Sequence, residues 1–210
     1  MLDELHNIDW SMLTHCYGPA SDIPDLLMTL ASGKENCDDT IETLSSRICH
    51  QGTLYEATAF VIPFLVKILE EQRSNADLQD CVLCLLKCIS QGDVYLTGEN
   101  AFKRNLWTRL GRDFDADLEI QQYWAENIRV EMIRSITAYL DHLDELTPTA
   151  LILSLLVIDI NPNKAPLKAQ EIIREAARRP DIVAATENFF TCADGHMSVL
   201  IQSALNKLPV

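Results

Sequence analysis

The sequence predicts an all-α protein, a right-handed α-solenoid of about five helical hairpins, on three observations. Apolar residues recur at three- and four-residue spacings over most of the chain, which places them on one face of a helix. Period-2 alternation bounded by turn residues, the mark of strands, is scarce. The helical segments group into hairpins of about 35 to 45 residues, each too small to bury its own apolar face, so that stacked neighbours must supply one continuous core.

In chain order, the segment around "IDWSMLTHCY" predicts a short helix with Asp9 as N-cap, stopped at Gly18 and Pro19. A second helix starts at Ser21 or Asp22, carries Pro24 in its first turn, where a missing N–H costs little, and ends at Gly33. These two form the first hairpin. "DDTIETLSSRICHQG" predicts the next helix, capped by Asp38 or Asp39, with Ile41, Leu44 and Ile48 on its apolar face and Gly52 beyond its end. Its partner is the helix of "TLYEATAFVIPFLVKILEEQ", in which Pro63 marks a kink or the first turn of a new helix.

"NADLQDCVLCLLKCISQG" follows as an amphipathic helix, capped by Asn75 or Asp77 and closed by Gly92. Residues 93–118 are more polar and contain two further glycines, which predicts a long loop with one short helix near 101–110. A long helix then covers about 119–141, with Ile120, Trp124, Ile128, Met132, Ile136 and Leu140 on one stripe. Thr147 caps a helix beginning at Pro148, whose nearly all-round apolarity implies burial between neighbours. After the turn "NPNKAP", helices are expected at 166–178, roughly 181–190 and 196–207.

Residues 1–210 read as one such domain, interrupted at about 93–118, and long enough to bury roughly 70 to 75% of the surface of the unfolded chain. Hydrophobic residues at 48% against charged residues at 23% set a globular rather than a disordered balance. Seventeen Lys plus Arg against 31 Asp plus Glu leave a formal charge of -14. That sign argues against phosphate neutralisation, so no nucleic acid is expected as partner; it also repels acidic membranes and favours encounter with a basic protein.

The opening "MLDELHNIDW" has acidic residues where a secretory signal needs a positive region. The longest apolar run, "ALILSLLVIDI", is much shorter than the roughly 20 residues that cross a bilayer. A cytoplasmic protein with no membrane partner is the expectation. Seven cysteines, an odd number without framework spacing, fit a reducing compartment.

"HCYGPASDIPDLLMTLAS" followed by "RICHQGTLYEATAFVIPFLVKIL" resembles bacterial HEAT-repeat, armadillo-like proteins that share a "YGPA-D-P-LL" segment and an "HQGT-YEAT-PFL" segment. Residues 9–92 carry the match; beyond residue 93 the resemblance is one of pattern, with "IREAARRPDIV" the best fragment. The resemblance implies a HEAT-like helical stack and, because most proteins of that group have no assigned activity, hardly any function.

Several clusters invite a chemical reading. Cys49 and His50 are adjacent, so on a helix their side chains diverge by about 100 degrees, too far for a nucleophile and base pair. His50, Thr53 and Tyr55 flank the turn at Gly52, where Thr53 is placed to cap the next helix; His15 and Tyr17 have the same layout before Gly18. One device used twice reads as a structural joint. Cys81, Cys84 and Cys88 fall at i, i+3, i+7 and put three thiols on one helix face. With no fourth ligand at a recognisable spacing, they read as buried core cysteines, so no metal and no cofactor are expected. Asp113, Asp115, Asp117 and Glu119 offer oxygens at alternate positions but lack the glycine and glutamate that shape a calcium loop, and read as a solvated run before a helix N-terminus.

No phosphate-cradling glycine loop, HExxH or GxSxG is present in the sequence. Trp107, Phe114, Tyr123 and Trp124, with Arg104, Arg109 and Arg112, are the residue types that dominate interfaces and lie in or beside the irregular segment. The sequence therefore points to a non-enzymatic protein-binding module, with Trp107, Arg109, Arg112, Asp113, Asp115 and Asp117 as its contact residues. A sharper form is an immunity or inhibitor protein that covers the cationic site of a basic bacterial toxin. Two other readings stay open: a bilin-lyase-like protein handling a small molecule, for which His50, Tyr55 and Asp22 are the nominees, and a structural adaptor with several partners.

Overall fold

A computed structural model of the chain describes residues 2–33, 37–96, 101–187 and 196–209. Helix dominates: among the described residues there are ten α-helices, and the strands are four two-residue segments paired into two ribbons. No described helix is long and apolar enough to cross a membrane.

The first expected helix is not an α-helix. Asp9 does cap it, accepting from Ser11 N at 3.2 Å and Ser11 Oγ at 2.6 Å, but what it caps is a single 3-10 turn, Trp10–Met12. The chain then reverses in a tight ribbon, β1 (Thr14–His15) against β2 (Gly18–Pro19), with Gly18 at φ +128 where a side chain would be strained. Helix α1 (Ile23–Ser32) has Pro24 in its first turn and ends on Gly33 at φ +60, a left-handed cap.

Helix α2 (Cys37–Ile48) contains Asp38 and Asp39 in its first turn rather than at its cap. It stops at Ile48, so Cys49 and His50 lie on a strand, not on a helix. They form β3 (Cys49–His50), paired with β4 (Thr53–Leu54) around Gln51 at φ +51 and Gly52 at φ +79. Two consecutive positive φ values make the mirror-image turn that suits a two-residue hairpin.

Helix α3 (Glu56–Glu71) continues through Pro63, which therefore does not open a new helix. Helix α4 (Ala76–Gln91) is capped by Asn75, whose Oδ1 accepts from Leu78 N at 3.2 Å. Helix α5 (Ala101–Arg109) matches the short helix expected in the irregular segment, part of which, 97–100, lies outside the described residues. Helix α6 (Phe114–Asp141) begins five residues before its expected start at 119, because Asp113 Oδ1 accepts from Asp115 N at 3.0 Å and Ala116 N at 3.2 Å and closes the first turn there. Helix α7 (Pro148–Ile160) is capped by Thr147 Oγ1, which accepts from Ala150 N at 3.1 Å. Helices α8 (Leu167–Ala176), α9 (Pro180–Thr186) and α10 (Met197–Lys207) complete the chain; the expected end of the helix at 181–190 falls outside the described residues.

Packing sorts these helices into two rows. The succession α1, α3, α6, α8 forms one row, and α2, α4, α7, then α9 and α10, the other; rungs join α1 to α2, α3 to α4, α6 to α7, and α8 to α9 and α10. Helix α7 also packs extensively on α8, and α5 packs on α6 outside the rows. The expected pairing of α2 with α3 is shifted by one helix: α2 packs on α1 and α4, and the ribbon of residues 49–54 connects it to α3. One apolar core runs from Leu2 to Ala204, and α7, buried continuously from Ala150 to Ile158, lies at its centre. The buried amide of Gln79 donates to Leu69 O at 2.8 Å and accepts from Thr149 Oγ1 at 3.1 Å, tying α3, α4 and the start of α7.

Candidate functional site

The two ribbons form the corners that enter α1 and α3, and they stack on each other. Cys16 N donates to Arg47 O at 2.9 Å, and the Tyr17 ring lies edge-on to His50 with centroids 5.8 Å apart and under the Arg47 guanidinium at 4.9 Å. Asp22 receives Arg47 Nε at 2.8 Å on one oxygen and His15 Nε2 at 2.9 Å on the other. Burial pushes the Asp22 carboxyl up, but the hydrogen bonds from Arg47 and His15 outweigh it and leave the group below its ordinary value.

His15 is the residue most easily mistaken for a catalyst, because a histidine bound to an aspartate is half of a general-base arrangement. Its Nδ1, however, accepts the Tyr17 N–H at 3.0 Å, which fixes the proton on Nε2, where it is donated to Asp22. Neither nitrogen retains a lone pair for a substrate. The Tyr55 phenol is pushed up by burial and by its hydrogen bond with Cys16, so it too is held as a neutral packed group.

Thr53 does not cap α3. Thr58 does this work from inside the helix: its Oγ1 receives Tyr55 N at 3.1 Å and donates to Ile48 O at 2.6 Å. Thr53 instead bridges outward, its strand lying beside Asp93, where Leu54 N donates to Asp93 O at 3.1 Å and Asp93 N to Gly52 O at 2.8 Å. His15, Tyr17 and His50 are thus brought together through ring contacts, with His15 further held by Asp22 and by the Tyr17 N–H, while Thr53 pairs with His50 in the ribbon that leads to Tyr55.

The irregular segment carries a second, smaller core of Leu96, Trp107 and Phe114, on which Leu106 and Leu118 pack. Trp107 is buried, against the expectation of an exposed aromatic contact, and its Nε1 donates to Asp117 Oδ2 at 2.6 Å. Arg112 Nε meets the same Asp117 oxygen at 2.8 Å, and Arg104 clasps Asp115 through two bonds of 2.8 and 2.6 Å. With Asp113 spent on the α6 cap, only Arg109 of the six nominated contact residues is exposed without a role in this small core. Tyr123 is exposed as expected, Trp124 half-buried and Phe114 buried.

What lies outermost is a different set. Among the described residues twelve large hydrophobic side chains are exposed, and five of them, Tyr95, Phe102, Leu110, Ile120 and Tyr123, come from residues 95–123. Sequence reading missed Phe102 and Leu110 because it weighed Trp and Arg first; a helix of low apolar content that still carries a phenylalanine at its first turn was the available signal.

The cysteines of α4 also depart from expectation. Cys84 and Cys88 are exposed and Cys81 is half-buried, because the core face is the stripe Leu78, Val82, Leu85, Leu86, Ile89, one residue ahead of the thiols. Among the described cysteines Cys49 is the buried one, its thiol donating to Cys88 O at 3.5 Å and pushed up to about 11, first by burial and then by Cys88. Cys81 meets Cys37 of α2, with sulfurs 2.7 Å apart, and Asp38 Oδ1 lies 3.3 Å from the Cys81 sulfur. These three groups line a cavity of about 400 Å³ together with Gly33, Asp77 and Asp80. Among the described residues, the Cys37 and Cys81 sulfurs and an Asp38 carboxylate oxygen lie within 4.8 Å of one another, close enough to share one ion.

No family model, curated protein or solved structure matches the chain.

Proposed function

We propose that the chain is a non-enzymatic protein-binding module, a HEAT-like α-solenoid whose projecting segment, α5 with the first turns of α6, docks a basic protein. The observation that carries this reading is that five of the twelve exposed large hydrophobic side chains among the described residues, Tyr95, Phe102, Leu110, Ile120 and Tyr123, fall within residues 95–123, beside the small core of Leu96, Trp107 and Phe114. Apolar side chains grouped on a surface mark interaction sites, whereas scattered ones need no explanation. The net charge of -14 supports a cationic partner, which it would steer toward the surface before short-range contacts form. Neutralisation of a basic toxin by an immunity protein is the sharpest form of this reading.

The commitments at the corners favour binding over catalysis: His15, Asp22 and Tyr55 are each held by neighbours, and Asp22 has both oxygens occupied. The experiment is affinity capture of the tagged full-length chain from its native cell, at low and moderate salt, beside a Phe102→Ser/Tyr123→Ser double variant. One basic protein retained in near-equal amount by the wild type and lost by the folded variant is the expected result. Equal retention by both, or a bound pigment in place of a protein, overturns the reading.

A further inference from the structure

Cys37, Asp38 and Cys81 come from two helices that lie side by side in the second row, Cys37 and Asp38 in the first turn of α2 and Cys81 in the second turn of α4. The three ligand atoms lie within 4.8 Å of one another, and the Cys37 sulfur is 4.0 Å from the Asp38 oxygen that lies 3.3 Å from Cys81. Each group becomes an anion when it loses its proton. A bound cation favours the ionised form of all three.

We propose that Cys37, Asp38 and Cys81 bind one thiophilic divalent cation of the zinc class, leaving its remaining coordination position open to the adjoining cavity. Two thiolates and a carboxylate are a borderline-soft donor set suited to zinc, and three protein ligands with an open fourth position are the pattern of an accessible site. The cavity of about 400 Å³, with Asp77 and Asp80 in its lining, provides the approach and a cation-attracting potential.

At 2.7 Å the two sulfurs are closer than the roughly 3.7 Å that tetrahedral bonds of about 2.3 Å to one zinc would set, so loading parts them by about 1 Å. The same closeness suits a disulfide, whose sulfurs stand about 2.05 Å apart. A disulfide uses neither the carboxylate nor the acidic cavity, and those two features favour the cation. The reaction balances as two thiols, one carboxylate and one M²⁺ giving the complex and two released protons, so affinity rises with pH.

The test is anaerobic titration of the reduced full-length chain with Co²⁺ and then Zn²⁺, following cobalt–thiolate absorption, stoichiometry and proton release. One ion per chain, the tetrahedral cobalt spectrum and its displacement by Zn²⁺ are expected. Cys37→Ser, Cys81→Ser and Asp38→Asn each weaken binding by about tenfold or more, while the folded Cys84→Ser/Cys88→Ser variant binds as wild type. Absence of the thiolate spectrum, retention of binding by the Cys37→Ser/Cys81→Ser variant, or a Cys37–Cys81 disulfide in a freshly isolated chain that takes up no cobalt after reduction overturns the proposal.

Discussion

The Thr58 hydroxyl donates to the Ile48 carbonyl at 2.6 Å, joining the last residue of α2 to the first turn of α3 across the Cys49–Leu54 ribbon. Thr58 is fully buried, and the same oxygen accepts the Tyr55 N–H, so one side chain satisfies a helix end and a helix start that water does not reach. Replacing it by valine keeps the shape and orphans both backbone groups, which costs about 1–3 kcal/mol. Urea unfolding of Thr58→Val is expected to show a lower midpoint at unchanged slope, whereas Thr53→Ala stays within about 0.5 kcal/mol of wild type. Equal effects at the two positions would assign the cap to the wrong threonine.

Gly92, which ends α4, sits against the Cys49–Leu54 ribbon. A Cβ on it would stand 2.6 Å from Leu54 Cδ2 and 2.8 Å from Cγ, with the Gly52 carbonyl at 3.2 Å. Leu54 is itself buried, so it has little room to swing away. Gly92→Ala is expected to destabilise the chain by about 1–3 kcal/mol through overpacking, read by thermal or chemical denaturation. A neutral or stabilising result would mean that residues 91–93 do not pack on the ribbon.

Asp22 makes a pH prediction with a definite sign. Its carboxyl is held below the ordinary value of 3.8, so in the window beneath that value the unfolded chain binds more protons than the folded one. Its contribution is fully present above about pH 4 and is lost as pH falls through the lowered folded value. The side chain is 44% exposed, so screening limits that contribution to about 1 kcal/mol. Asp22→Asn is expected to be less stable than wild type at pH 7, with the gap closing on acidification; a gap that widens toward low pH would contradict the geometry.

Trp107 tests whether the projecting segment has its own core. Removing it leaves Leu96 and Phe114 without their central partner, a loss of about 3–5 kcal/mol in local packing. Since Phe114 begins α6 and the main core does not include Trp107, hydrogen exchange in Trp107→Ala should accelerate over 101–118 and stay slow in α3 and α7. Uniform acceleration would mean that the segment is part of the main cooperative unit.

Helices were legible where caps were explicit. Asn75, Thr147 with Pro148, and Gly33 each ended or began an element where their chemistry implied. The corners were not, since two-residue strands are too short to show alternation and Gln51 at φ +51 is not a residue that announces a left-handed turn. One signal was available: "QG" recurs at Gln51–Gly52 and Gln91–Gly92, and the two sites meet in the structure through the Asp93 N–H and Gly52 carbonyl. On α4, cysteine and leucine are both apolar, so spacing alone left the choice between two stripes one residue apart, and the wrong one was assigned to the core. At the projecting segment, the residue types of an interface were legible, while the intramolecular bonds of Trp107, Arg112, Asp115 and Asp117 were not. Those bonds depend on α5 folding back on α6, which no local pattern encodes.

The most direct measurement is calorimetric titration of the captured partner into the wild-type chain and into Phe102→Ser/Tyr123→Ser, with circular dichroism verifying that both are folded. If the projecting segment is the docking surface, loss of its two most exposed aromatic side chains weakens binding by about 30-fold or more, the effect of removing a hot spot of about 2 kcal/mol. An unchanged dissociation constant would place the partner on another face and contradict the assignment.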